Sequence, residues 1–244
     1  MPRAGSSRAA LLEGLLGDEP HELAGVLEGW LASRRFASFA REHLTKVRKK
    51  LRGARDEASA RDLLLELAAA YGLVQDKRLT VVYEPTTNGS ARGPDFAVRY
   101  TTREEVMLEV TRLRGAENDA LDARRLAGVL ALKLGQTVPN RANVLLVGVE
   151  GDPPDADGLA ALLDEVRRDV ETTDAGALLR LGFRHRGEYL RRLARLSAVV
   201  VRRAPRLDAE PREGPPPSLW SNPQARAPLA SDVRGALLAG LSRD

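Results

Sequence analysis

Apolar residues recur three and four positions apart in the N-terminal third of the chain, and the period changes beyond it. Leu11, Leu12, Leu15 and Leu16, then Leu23, Val26, Leu27, Trp30 and Leu31, predict one or two helices over 8–33, divided at Gly17–Pro20. A following helix carries Phe36, Phe39, Ala40, Leu44, Val47 and Leu51 on one stripe. Arg41, Lys46, Arg48, Lys49 and Arg52 occupy most of its remaining circumference. Ser59 is placed to N-cap a helix over Leu63–Tyr71, and Gly72 stands where a C-cap glycine is expected.

After Gly72 the pattern becomes that of strands. Leu79–Glu84, Asp95–Tyr100 and Val106–Leu113 read as three strands, with Pro85–Gly93 a turn-rich loop; the short links predict an antiparallel meander. Leu121–Leu134 returns to the helical period and is closed by Gly135. Val144–Val149 is a continuous apolar run, expected of a strand covered on both faces. Leu159–Val170 reads as helix, Ala177–Leu196 as a further helical stretch, and Ala198–Val201 as a short strand. Residues 204–228 hold seven prolines and few apolar residues, so they read as an extended arm, with Trp220 and Leu229 packing it back onto the body. Ser231–Leu241 suits a terminal helix.

This order predicts an α/β protein with a mixed central sheet flanked by helices. Three parts follow: an N-terminal helical extension (1–57), an α/β core (58–203), and a Pro-rich arm with a terminal helix (204–244).

Charge sharpens the picture. Nine Lys/Arg face only Glu42 between Arg34 and Arg55, and nine Arg face only Glu188 between Arg180 and Arg206, a local balance of +8 in each. Between Glu117 and Asp174 the balance is −6. Such segregation is what a polyanion-binding face needs, because Lys/Arg contacts to phosphates supply most sequence-independent affinity. Absent cysteine excludes thiolate chemistry and disulfides, and only three scattered histidines argue against a His-built zinc site or a His-based triad. No apolar run reaches the ~20 residues of a membrane span, and the N-terminus lacks the order of a signal peptide, so no membrane partner and a cytoplasmic location are expected. Val147–Asp152 lacks the spacing of a phosphate-binding glycine loop. Aromatic residues do not interleave with the basic clusters, against a base-stacking platform.

The chemistry is concentrated in Gly93-Pro94-Asp95-Phe96-Ala97-Val98 and in Val106-Met107-Leu108-Glu109-Val110-Thr111-Arg112. Along a strand, Met107, Glu109 and Thr111 share one face. A carboxylate amid Met-Leu-Glu-Val demands a cation, a partner or a raised pKa. Asp95 and Glu109 fall on neighbouring strands of a hairpin, where two carboxylates make a hard-oxygen site suited to Mg²⁺ or Mn²⁺.

The two segments together resemble the PD-(D/E)XK, or restriction-endonuclease-like, superfamily: an acid after proline at the start of one strand, then an acid-x-Lys-like tripeptide in the next. The resemblance spans roughly Ser59 to Val149 and rests on element order more than on letters. It implies a metal-dependent nuclease, a hydrolase cutting phosphodiester bonds, with DNA the expected polymer. Asp95 and Glu109 would be metal ligands and Glu66, on the first core helix, a third. Thr111 stands where the family has lysine. Either that charge has moved, with Lys133 on the following helix the first candidate and Arg125 the second, or it is missing. Arg48, Lys49 and Arg52 on one side, and Arg191, Arg192 and Arg195 on the other, would hold the phosphate backbone, which positions a duplex without reading its sequence. The alternatives are a catalytically silent module binding nucleic acid or a protein partner, and a helical N-terminus that serves as a homodimer or docking surface.

Overall fold

The computed structural model describes residues 4–17, 20–86, 93–101, 103, 105–115, 121–207 and 215–243. Six strands form one mixed sheet whose spatial order follows the chain. β1 (Leu79–Tyr83), β2 (Phe96–Tyr100) and β3 (Glu105–Arg112) make the antiparallel meander. β4 (Ala142–Val149) and β5 (Leu196–Arg203) add in parallel. β6 (Ser218–Ser221) closes the far edge antiparallel to β5.

The two crossovers explain the apolar runs. β4 and β5 are central and buried on both faces. Val144, Leu146, Ala198 and Val200 join one core, Leu145, Val147, Val199 and Val201 the other. The first core is covered by α1 (Ala4–Leu16), α2 (Ala24–Trp30), α3 (Arg34–Glu42), α4 (Leu44–Gly53), α5 (Glu57–Val74) and α10 (Ser231–Leu241). The second is covered by α6 (Ala123–Lys133), α7 (Ala156–Thr172), α8 (Ala175–Arg180) and α9 (Arg186–Leu193). Burying a Leu or Val side chain is worth about 1.5–3 kcal/mol, so this three-layer arrangement dominates the stability. Among the described residues no helix is long and apolar enough to cross a membrane.

Several expectations are corrected. The helix expected through Phe36–Leu51 breaks at His43 (φ −108°, ψ 19°) into α3 and α4. His43 is buried there, its ring edge-on to Phe39, with centroids 4.8 Å apart. The break lets α3 lie on α5 while α4 turns against α1. Ser59 is not the N-cap of α5. Asp56 is: its Oδ1 accepts the Ser59 N–H at 2.8 Å, and Ser59 Oγ donates to its Oδ2 at 2.8 Å. Nor is Gly72 a C-cap. It lies within α5, where a Cβ would stand 2.1 Å from Gly240 O, so it is required by the close crossing of α5 and α10. The helix expected over Ala177–Leu196 is interrupted by Gly182 (φ 84°) and restarts at His185, and Leu196 already belongs to β5. Gly135 sits in a 3-10 turn (Leu134–Gln136) rather than ending a helix. The Pro-rich arm is more than an arm, since β6 lies in it and covers the open edge of β5. Asn222 anchors the end of β6 by donating to Leu193 O (3.0 Å) and Leu196 O (2.8 Å). Trp220 and Leu229 pack against the two cores as expected. Asn88-Gly89 and most of the Pro85–Gly93 loop lie outside the described residues.

A buried arginine fixes α5 against the sheet. Arg112 donates from Nε to Asp62 Oδ1 (2.8 Å), from Nη1 to Glu150 Oε1 (2.5 Å) and from Nη2 to Ala58 O (3.1 Å). Each of its donor edges is satisfied, which holds α5 at the register that brings Glu66 to the sheet.

Candidate functional site

The site forms where β2 begins and β3 runs on past it. Phe96 pairs with Leu108 at the last rung of the β2–β3 ladder, so Asp95, one residue before it, stands in register with Glu109 just beyond the paired residues. Past the last β2 pair, Asp95 takes over the ladder: its Oδ2 accepts the Val110 N–H at 2.8 Å. Its backbone carbonyl accepts the Glu84 N–H at 2.7 Å. The Gly-Pro before it therefore delivers a carboxylate, not a chain reversal alone, to the strand end.

Glu109 projects toward α6. Its Oε1 accepts from Lys133 Nζ at 2.5 Å, while its Oε2 is buried with no hydrogen-bond partner among the described residues. Lys133 comes from the last turn of α6, whose Leu126, Val129 and Leu130 are buried in the second core, so the helix face that anchors α6 also aims the lysine inward. Pro94, Met107 and Leu134 complete a small apolar hollow around the pair.

Glu66 is buried on α5, 9% exposed, rather than on a wet face. Its partner is a residue outside the sequence-based set. Lys50, on α4, places Nζ 2.5 Å from Glu66 Oε1, 3.2 Å from Glu84 Oε1 and 3.7 Å from Asp95 Oδ1. The same ammonium lies 5.1 Å from the Tyr83 ring centroid. One turn earlier, Lys46 Nζ donates to the carbonyls of Tyr83 and Glu84, at 2.8 Å each. Glu84 adopts φ 44°, a left-handed kink at the end of β1. Lys46 and Lys50, four apart on α4, thus face the site. Their rarity was the available signal, because the chain has five lysines among its 38 basic residues.

Four carboxylates meet two ammonium groups here, so full ionisation would leave two negative charges unanswered, and retained protons answer part of that excess. The electrostatics follow. Burial, then the Asp95 charge, pushes Glu66 up to about 7, against the opposing pull of Lys50. Burial and then Asp95 push Glu109 up to about 7, against Lys133. Burial also raises Asp95, although the Val110 N–H and both lysines favour its charged form. Burial acts to lower Lys50, yet Glu66, Asp95 and Glu84 hold it above its ordinary value. Tyr83, deeply buried and next to Glu66, is raised for the same first reason.

The remaining positions divide. Thr111 sits two residues beyond Glu109 on the same face of β3, half-buried, its hydroxyl bonded to no described residue. Arg125 turns elsewhere, donating from Nη2 to Arg114 O at 3.1 Å. Lys49 and Arg52 are exposed on α4, and Arg48 is half-buried. Arg191 is exposed on α9, with Arg192 and Arg195 half-buried nearby. α9 packs against the 3-10 turn that follows Lys133, so this second basic segment borders the site from the side opposite α4.

Among the described residues no three His, Asp or Glu side chains stand ready-made around one point. The donors present are of the hard-oxygen type a divalent ion takes: the unpartnered Glu109 Oε2 and the Asp95 carboxylate. Glu66 joins this group through Lys50 and Asp95 rather than by facing Glu109. No family model, curated protein or solved structure matches the chain.

Proposed function

We propose that the chain is a divalent-metal-dependent nuclease with a restriction-endonuclease-like core, hydrolysing phosphodiester bonds in nucleic acid, DNA foremost. The observation that carries this reading is Glu109 Oε2, buried and unpartnered, with Lys133 on its other oxygen and Asp95 in register just beyond the β2–β3 ladder. A buried carboxylate oxygen is costly unless something positive meets it. Asp95 and Glu109 would hold Mg²⁺ or Mn²⁺, which supplies polarisation of the phosphate and an acidified water when bound. Lys133 supplies from α6 the charge that Thr111 does not. It faces the carboxylates, where an ammonium offsets negative charge growing on a phosphoryl oxygen. Thr111 is left to hydrogen-bond a water. Asp95, fixed by the Val110 N–H, keeps its orientation while Glu109 exchanges partners.

The test is cleavage of plasmid and linear DNA by the full chain in Mg²⁺ or Mn²⁺. Asp95→Ala and Glu109→Ala should each abolish it without loss of fold, and cleavage surviving both changes would refute the assignment.

One observation favours a second reading. Lys50 and Lys133 already neutralise half of the acidic cluster, as in a silent module that binds nucleic acid without cutting it. Salt-sensitive binding with no divalent-dependent cleavage would select this reading.

A further inference from the structure

The 3-10 turn after Lys133 is also the wall of a second concavity, a basin of about 410 Å³. Leu134 and Gly135 form that wall, and Arg184, Arg191, Arg192 and Arg195 line the rest, with His185 at the rim. The turn is shared, since Leu134 also lines the hollow holding Glu109 and Lys133. Gly135 keeps the wall open: a Cβ there would lie 3.3 Å from Arg192 Nη1.

The basin has more positive charge than its own acid can answer. Glu188 is its one acidic lining residue. Both Glu188 oxygens are committed, Oε1 to Arg192 Nη2 at 2.6 Å and Oε2 to the Arg184 N–H at 2.9 Å. Arg192 is further held over the Phe183 ring, 5.4 Å from its centroid. The guanidinium groups of Arg184, Arg191 and Arg195 form no close ion pair among the described residues, the Arg184 charge acting on Glu188 only from a distance. His185 Nδ1 accepts the Glu188 N–H at 3.2 Å, so a neutral ring carries its proton on Nε2 and offers a donor.

Guanidinium groups without a close counter-ion around one hollow repel each other unless an anion lies between them, and concave walls concentrate their field. Guanidinium forks match phosphate oxygens. An internal phosphodiester has a single negative charge. A terminal phosphate monoester approaches two and presents three free oxygens, which matches this basin better.

We propose that the basin binds the terminal phosphate of a nucleic-acid strand, seating the strand end beside the carboxylate cluster. The identity of the strand rests on the nuclease reading above; the phosphate site does not. With Leu134 as a common wall, a strand end held here brings its neighbouring phosphodiesters toward Glu109 and Lys133, and the chain acts from ends.

The experiment is fluorescence anisotropy with the full chain in EDTA, using one oligonucleotide with a 5′-phosphate, a 3′-phosphate or hydroxyl ends. One phosphorylated form should bind at least about tenfold more tightly than the hydroxyl form, and inorganic phosphate should erase that advantage. Arg184→Gln with Arg191→Gln, both exposed positions, should remove it while leaving the circular dichroism unchanged. Equal affinity for all three ends, or an advantage surviving the double substitution, overturns the proposal. Because no divalent ion is present, the result is independent of whether the chain cuts.

Discussion

Lys133 Nζ lies 2.5 Å from Glu109 Oε1, although the two residues come from a helix and a strand and are 24 positions apart. This pair puts an ammonium beside the strand carboxylate, two residues before the position where Thr111 offers none. If the lysine has moved from strand to helix, Lys133→Met should lower the cleavage rate by about 10²–10³, the usual effect of removing one group that stabilises developing charge. Adding Thr111→Lys to Lys133→Met should restore part of that loss. A double variant no faster than Lys133→Met would argue that the charge is not interchangeable between the two elements.

Lys50 is the internal counter-ion of Glu66, Glu84 and Asp95. Lys50→Met should therefore destabilise the metal-free chain by roughly 3 kcal/mol, since removing one partner leaves buried acids uncompensated. The same variant should bind Mn²⁺ about tenfold or more tightly, because the ion then answers charges that Lys50 no longer shares. Urea titration with and without Mn²⁺ measures both effects. Unchanged Mn²⁺ affinity would separate Lys50 from the cation-binding function.

Glu66 and Glu109 hold their protons to about 7 in the folded chain, against an ordinary 4.5. Between those values the folded state binds more protons than the unfolded one. Stability from these two groups is thus greatest below about pH 4.5, declines as pH rises toward 7, and is flat above it. In EDTA, Tm should fall by roughly 5 °C or more from pH 5 to pH 8 through these groups. The Glu66→Gln, Glu109→Gln chain should lose most of that dependence, and Mn²⁺ at pH 8 should raise Tm in the parent chain alone. Parallel melting curves for the two proteins across this range would contradict the buried-acid account.

Much of this was legible along the chain. The meander of β1 to β3, the doubly covered β4, the helix carrying Lys133 and the terminal helix all follow from hydrophobic period, which local geometry converts directly into element type. The face shared by Glu109 and Thr111 follows from the two-residue repeat of a strand. Less regular segments were misread for identifiable reasons. The break at His43 is not written in periodicity, because the residues on either side keep one continuous stripe and only their different neighbours bend them apart. Gly72 looks like a helix stop, and is instead a contact point whose partner, Gly240, is remote in sequence. The arm's prolines masked four residues that complete the sheet edge.

From the amino-acid order alone come the strands, the helices, and the placement of the two acids on neighbouring strands of one hairpin, since each depends on residues near one another in the chain. The rest of the site needed the folded molecule. Whether Lys50 faces water or three carboxylates, whether Glu66 is wet or buried, and which basic residue supplies Thr111's missing charge depend on distances between elements that no local pattern encodes. Coulomb and desolvation energies are set by those through-space separations, and only packing the helical layer onto the sheet defines them.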